Sequence, residues 1–216
     1  MPTAIRRSPG RPPDEELKAR RHEEILESAT RVFARHGYQT ADVQWIADEL
    51  KLSKGTIYNY FPSKEELFLA CVDRGVAQLN QHIDAFAGRH ADVIDQMSAA
   101  IVAYLEFFQR NPNLFDLLIQ ERAEFRDRRQ STYFQHRQQR VGKWHAAIGK
   151  LIESGRFRDI LPEKVTAVMG DLLYGTMFTN HMSGRTRPSE AQAADILDVV
   201  FNGLLTDQER RRRSGK

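Results

Sequence analysis

Residues 43–64, VQWIADELKLSKGTIYNYFPSK, restrict the fold of this chain more than any other stretch. The apolar positions Ile46, Ala47, Leu50, Leu52, Ile57 and Phe61 fit two short helices whose inner faces meet across a tight connection, the pattern of a helix-turn-helix. That connection is Lys51-Leu52-Ser53. Ser53 offers a side-chain oxygen to the free amides heading the second helix, which should start at Lys54 and run about two turns to Phe61, where Pro62 stops it. With Ile57 and Phe61 turned inward, the outward residues are Lys54, Gly55, Thr56, Tyr58, Asn59 and Tyr60. The glycine lets another backbone come close, and the others bond phosphates and base edges. Residues 51–64 hold three lysines and no acid in a chain with 29 acids, a face suited to a polyanion. A solvated helix pair with a few lysines is the blander reading. Cap, turn, apolar face and charge all agreeing on one unit weigh against it.

The flanks extend this unit. From about 16 to 36, Ile25, Leu26, Ala29, Val32 and Phe33 lie on one face of an amphipathic helix that Gly37 should end. Such a helix covers the inner face the motif cannot bury alone, while Glu23 and Glu24 read as solvated charges. After the motif, Ser63-Lys64-Glu65-Glu66 is a capping box opening a long helix to about 87. Its stripe is Leu67, Phe68, Cys71, Val72, Val76, Leu79, Ile83 and Phe86. One end of this helix touches the reading helix and the other enters the remaining chain, so a tilt at the far end would move the reading head. Cys71 is the only cysteine and sits on that stripe; it reads as core, and paired-cysteine zinc sites and an internal disulfide are ruled out.

Charge placement is more informative than the net +3. Residues 1–21 carry six basic and three acidic side chains and residues 207–216 five and two, so each end is +3 and the body is net acidic. The first 16 residues, rich in proline and arginine, read as a flexible basic arm. Gly10-Arg11-Pro12 is similar to the centre of an AT-hook without its first arginine, and Arg11 is a candidate minor-groove contact. No apolar run nears the ~20 residues of a membrane span, and no apolar stretch follows the N-terminal arginines as in a signal peptide. The expectation is a cytoplasmic protein with no membrane contact.

The run from Gly37 to Phe68 closely resembles the DNA-binding domain of the tetracycline-repressor (TetR) family of bacterial transcriptional regulators, a resemblance covering about residues 21–79. It is carried by Gly37-Tyr38, Thr40, Val43, Ile46-Ala47, Ser53-Lys54-Gly55-Thr56-Ile57-Tyr58 and Tyr60-Phe61-Pro62-Ser63-Lys64-Glu65. The resemblance implies DNA contacts at Thr40, Thr56, Tyr58, Tyr60 and Lys64; Lys54, Gly55 and Asn59 join them from the outward face, and Gln44 from the first motif helix. Two positions depart from the family pattern. Lys51 stands where a turn glycine is usual, which at positive φ costs roughly 1 kcal/mol. Ala41 stands where a hydroxyl is common, removing one expected phosphate contact.

Beyond Gly88 the pattern gives five more helices, at about 92–110, 113–126 (capped by Asn113), 132–154, 162–182 and 188–205, with no strand-like alternation. The chain is therefore read as all-α with about nine helices. Its expected divisions are an arm (1–16), a DNA-binding domain (17–79, motif 43–62), a helical effector-binding and dimerisation domain (80–206) and a basic tail (207–216). The last two helices carry broad apolar faces, Val165, Val168, Met169, Leu172, Leu173, Thr176 and Thr179 on one and Ala194, Leu197, Val200, Phe201 and Leu204 on the other. Gly170 and Gly175 permit close approach. Such a pair completes a monomer core or doubles into a four-helix bundle. The resemblance implies the second, and a two-fold dimer reads half-sites about 34–36 Å apart. The expected homodimer interface is Val168, Leu172, Gly175, Thr179, Leu197, Val200, Phe201 and Leu204.

Aromatics are dense between residues 104 and 178. An apolar cavity with a few polar groups is what a small molecule needs, although aromatic stripes at helical spacing are more often core. The candidate effector-binding residues are Tyr104, Phe108, Phe115, Leu118, Arg122, Trp144, Met177 and His181. The charged run 121–129 reads as a surface ion network from which Glu121 or Arg122 could turn inward. No phosphate loop, dinucleotide fingerprint, zinc-protease motif or nucleophile elbow occurs, and none of the seven histidines pairs at i, i+3 or i+4. No enzyme, metal or cofactor is expected. The remaining rival is a helical protein that coats DNA without sequence preference. The reading that follows is a sequence-specific transcriptional repressor that binds a palindromic double-stranded DNA operator as a dimer and leaves it when a small-molecule effector binds.

Overall fold

The computed structural model describes residues 14–203; residues 1–13 of the basic arm, with Arg11, the basic tail and Leu204 lie outside the described residues, and residues 14–16, expected in the arm, instead open the first helix. Nine helices and no strand occur among them: α1 Asp14–His36, α2 Val43–Leu50, α3 Lys54–Tyr60, α4 Lys64–Ala87, α5 Val93–Arg110, α6 Pro112–Glu124, α7 Thr132–Glu153, α8 Pro162–Ser183 and α9 Ser189–Asn202.

Local chemistry sets the boundaries. Gly37 ends α1 with φ 78 and donates its N–H to Phe33 O at 2.9 Å. The Asp42 side chain caps α2 by accepting from Gln44 N–H at 2.8 Å. Lys51 takes φ 55, the left-handed conformation its usual glycine would hold without strain, because the turn must reverse there whatever residue occupies it. Ser53 accepts from Thr56 N–H at 3.0 Å, so α3 begins at Lys54 as expected. Ser63 accepts from Glu66 N–H at 3.0 Å, but the returning Glu66 carboxylate meets the Ser63 hydroxyl, at 3.3 Å, and not the Ser63 amide. At α6 the N-cap position is Asn111, not Asn113, because Pro112 fits the first helical position, where no N–H is needed. Asn111 turns its amide back to Phe107 O at 2.9 Å.

One continuous core runs from α1 to α9. The α1 stripe Ile25, Leu26, Ala29, Val32 and Phe33 closes over Ile46, Ala47, Ile57 and Phe61 of the α2–α3 pair. Ala41 is also buried, so this alanine is part of the core and no surface contact is lost to it. Helix α4 packs against α1, α5, α6 and α7. Phe68 meets Phe33 edge-on at 5.2 Å between centroids, Tyr38 at 5.0 Å and Phe125, just past α6, at 5.6 Å. A Cβ at Gly75 would collide with Leu114, so the glycine permits the close α4–α6 approach. Glu23 is not merely solvated: it pairs with Arg74 and ties α1 to α4.

Helices α8 and α9 both lie on α5 and make little backbone contact with each other; a hydrogen bond from Asn180 Nδ2 to Gln192 Oε1, 2.6 Å, links them. The single apolar face expected on α8 is two faces. Met169 and Met177 are buried with Val165 and Leu173 half-buried beside them, while Val168 and Leu172 point outward. Phe68→Ala should lower the unfolding free energy by about 3–5 kcal/mol in a urea titration, the range for truncating a buried aromatic. Burial pushes the Cys71 thiol up to about 12, so alkylation by iodoacetamide at pH 8 should be negligible in the folded chain and prompt in urea.

Candidate functional site

Most of the outward residues read from the motif reach the surface. Tyr58 is 37% exposed, Gly55 and Asn59 are exposed, and Lys54 and Thr56 are half-buried. Nothing but the Ser53 hydroxyl, at 3.7 Å, lies near the direction of a Cβ on Gly55, which keeps this side of α3 open. Thr40 and Gln44 are exposed on the loop before α2 and on α2 itself. Tyr60 differs from expectation: its ring leans on His22 of α1 and on the core, leaving it only partly accessible. The cause is periodicity, because Tyr60 follows Ile57 by three residues and so returns toward the buried side.

An acid the motif window did not include shapes the charge of this face. Asp42 accepts from Lys54 Nζ at 2.8 Å. The Gln44 amide first, and the Lys54 ammonium second, hold the Asp42 carboxyl below its usual range. Lys64 donates to Gln39 O at 3.1 Å and lies 4.9 Å over the Tyr38 ring, where desolvation draws its pKa down. Both lysines are thereby held in place beside the start of α2. A phosphate approaching Lys54 competes with Asp42. Trp45, exposed on α2 with its ring 4.8 Å from His36, was not among the expected residues; its one signal was an indole at a position that falls outside the apolar spacing.

In the larger helical part, the eight candidate effector residues do not form one pocket. Tyr104 and Trp144 line a cavity of about 180 Å³ between α4, α5, α7 and α8. Phe108, Phe115, Met177 and His181 line a second hollow of about 310 Å³ at α5, α6 and the end of α8. Tyr104 and Phe108, one turn apart on α5 with centroids 5.1 Å apart, border different spaces. In the second hollow His181 stacks on Phe115 at 3.9 Å and meets Asp116 at 3.1 Å. Leu118 and Arg122 line neither space: Leu118 is core, and Arg122 is exposed and donates to Arg126 O. The residue of the charged run that turns inward is Glu121, 1% exposed, and it serves the fold. It accepts from Thr132 N–H at 2.9 Å, Thr132 Oγ1 at 2.7 Å and Arg128, capping α7 from another helix where Ser131 makes no cap bond.

The four-helix cavity has apolar walls, including Val76, Ile83, Met97, Ile101, Met169 and Leu173. Its polar edge is Asn80, His136, Arg137, Arg140 and Thr166, with no carboxylate in the lining. Tyr104 and Tyr133 share a buried hydroxyl contact of 3.0 Å, and burial raises the pKa of both phenols. Arg140 reaches Asp84 of α4, Arg137 reaches Asp171 at 3.0 Å and Ala167 O at 3.2 Å on α8, and His136 contacts Asp73 at 2.7 Å. A Cβ at Gly170 would run into the Arg137 guanidinium, so the close approach expected there is to an arginine of α7 and not to a facing helix.

On α8, Val168 is 57% exposed, and Leu172, Gly175 and Thr179 are exposed with it. Phe201 is exposed on α9, whereas Leu197 and Val200 are half-buried against the monomer's own core. Phe178, Met182 and Val199 are exposed apolar residues absent from the expected set. Among the described residues no group of three or more His, Cys, Asp or Glu side chains could hold a metal, and no helix is long and apolar enough to cross a membrane.

Comparison with known proteins agrees with this geometry. The family model for bacterial regulatory proteins of the tetR family matches residues 25–71. The HTH-type transcriptional repressor AcnR of Corynebacterium diphtheriae is 44% identical over 64 residues, 30% of this chain and 33% of that protein. The HTH-type transcriptional regulator YfiR of Bacillus subtilis is 25% identical over 164 residues, covering 68% of this chain and 73% of its own. The fold is shared with the transcriptional regulator FadR of Bacillus subtilis, solved in complex with stearoyl-CoA, at a TM-score of 0.72 and 18% identity over 85% of this chain and all of that one. The chain belongs to the tetR family of bacterial regulatory proteins and is a DNA-binding transcriptional regulator, with the helix-turn-helix of α2 and α3 in its N-terminal domain.

Proposed function

We propose that this regulator is a repressor that binds a palindromic operator as a homodimer and is released when a small molecule enters the four-helix cavity. The observation that carries the proposal is the path of α4. Its first turn holds Lys64 beside the motif, Phe68 locks it to α1, and Val76, Leu79 and Ile83 line the cavity. A ligand that favours one tilt of α4 changes the placement of α3, and binding at the two places is coupled. Phe125 and Gln120 of the α6 end add a second connection, the latter donating to Phe33 O at 3.1 Å.

In this reading the DNA-binding domain is residues 17–79 and the effector and dimerisation domain residues 80–206. Thr56, Tyr58 and Asn59 read bases with Gly55 closest to the backbone, while Thr40, Gln44, Lys54 and Lys64 fix register on phosphates and Tyr60 contributes its accessible edge. Arg11 extends the contact into the minor groove. The dimer forms through Val168, Leu172, Gly175 and Thr179 of α8 with Phe201 of α9, an uncovered apolar stripe continued by Phe178 and Met182. Tyr104 and Trp144 line the effector site; FadR, a fold neighbour, was solved with stearoyl-CoA.

Footprinting the protein on bacterial genomic DNA should return inverted repeats, with an affinity ~10³-fold or more above random duplex at physiological salt. A chain that coats DNA without that ratio is not an operator-specific repressor. Tyr58→Ala and Thr56→Ala should each weaken operator binding about tenfold and relax base preference, whereas Lys64→Ala should weaken all DNA alike and reduce the salt slope by about one. Unchanged operator binding by Tyr58→Ala would overturn the contact assignment. Val168→Asp with Leu172→Asp should sediment as a monomer in ultracentrifugation; a dimer that persists would move the interface elsewhere.

A further inference from the structure

We propose that the four-helix cavity takes an anionic amphiphile, an apolar chain ending in a carboxylate or phosphate, and that the anionic head takes Arg140 from Asp84 and loosens the α4–α7 seam, leaving it the Lys143–Asp84 and His136–Asp73 contacts. The inference rests on the reading that this cavity is the effector site of a DNA-releasing regulator, and it adds the ligand class and the trigger.

The lining carries one sign of charge. Arg137 and Arg140 stand three residues apart on α7, hence on one face, and both contribute to the lining together with His136; no Asp or Glu does. The opposite walls are apolar, with Val76, Ile83, Met97 and Ile101 among them. An apolar chain fits those walls, and an anion fits the two guanidinium groups, which present planar donor forks to carboxylate or phosphate. A positive head would find no carboxylate in the lining to pair with. A neutral polar head has a different place to go, the Tyr104–Tyr133 hydroxyl pair, and this is the rival the test must separate.

Arg140 differs from Arg137 in what it holds. Its present partner, Asp84, is on α4, and the two side chains are 37% and 41% exposed. An ion pair this open is screened and weakly held. The same guanidinium facing an anion with apolar walls around it is screened less. Burial opposes ionisation of Asp84, yet Arg140 and Lys143 together keep its pKa below the usual range, so Asp84 remains a charged competitor at neutral pH. Lys143, 3.2 Å from Asp84, retains that carboxylate when Arg140 leaves. Arg137 pairs with α8 and does not reach α4. Arg140 is thus the guanidinium that both borders the cavity and ties down the helix leading to the DNA-binding motif.

The probes are octanoate, octyl phosphate and 1-octanol, titrated by calorimetry into the full-length protein, with release of labelled operator followed by fluorescence anisotropy. A dry cavity of about 150 Å³ admits a benzene-sized molecule, so a chain of about eight carbons suits this one, which opens toward part-exposed arginines. Both anions should bind at least tenfold tighter than the alcohol, and the tighter of the two identifies the head group. Arg140→Gln should abolish that preference, leave 1-octanol affinity unchanged and stop release of DNA by octanoate, while Arg140→Lys should retain part of each. Asp84→Asn, which removes the competitor, should bind octanoate several-fold tighter. Equal affinity for octanoate and 1-octanol, or an Asp84→Asn protein with unaltered octanoate affinity, would overturn the proposal. If the ligand-free protein binds operator and octanoate shows no preference over the alcohol, the ligand class fails and the regulator reading stands. If the anion preference is present but no operator is bound, the regulator reading fails and the ligand class stands.

Discussion

Phe68 is the contact on which the two halves of this molecule depend. Its ring is fully buried and meets Phe33 of α1, Tyr38 of the following turn and Phe125 beyond α6. The contacts with Phe33 and Tyr38 are edge-on, a packing that is directional as well as apolar, so they fix angles where aliphatic contacts would allow sliding. Since Phe68 lies in the second turn of α4, the orientation of α4 relative to the helix-turn-helix is set within a few residues of Lys64. The rest of α4 then acts as a rigid arm whose position is decided by what it meets in the helical domain.

The polar contacts fall into two energetic classes. Glu121 is deeply buried and takes three donors on one carboxylate oxygen, and removing them would leave a polar group unpaired in the interior, so it ties α7 firmly to α6. The pairs along the α4–α7 seam, Asp73 with His136 and Asp84 with Arg140 and Lys143, are part-exposed and individually weak. A seam of weak ties beside an apolar cavity can exchange partners without unfolding the domain. The Asp42–Lys54 pair beside the helix-turn-helix is of the same weak kind, since both of its side chains are open to solvent.

The helices of this protein were almost entirely legible in the residues, and for local reasons. Ser53, Ser63 and Asp92 each cap a helix through their own side chains, and Gly37 ends one by taking a positive φ. Where the reading slipped, a long-range or stereochemical preference overrode the local signal. Pro112 moves the cap of α6 two residues back, from Asn113 to Asn111, and Tyr60 turns partly inward because a seven-residue helix leaves its last ring half over the core. Asp42 was overlooked because its effect on Lys54 crosses a turn and joins residues 12 apart.

By itself the sequence determined the all-α class, the helix-turn-helix with its capped reading helix, and the absence of any run able to span a membrane, because capping, periodicity and turn chemistry act over a few residues. Only the tertiary structure decided how the apolar surplus of the C-terminal helices is divided. It split α8 into a face given to the core and a face given to solvent, separated Tyr104 and Trp144 from Phe115 and His181 into two spaces, and turned Glu121 inward while Arg122 stayed out. Those outcomes depend on which helices cross and how closely, and two residues with the same local pattern meet different neighbours when the crossing changes.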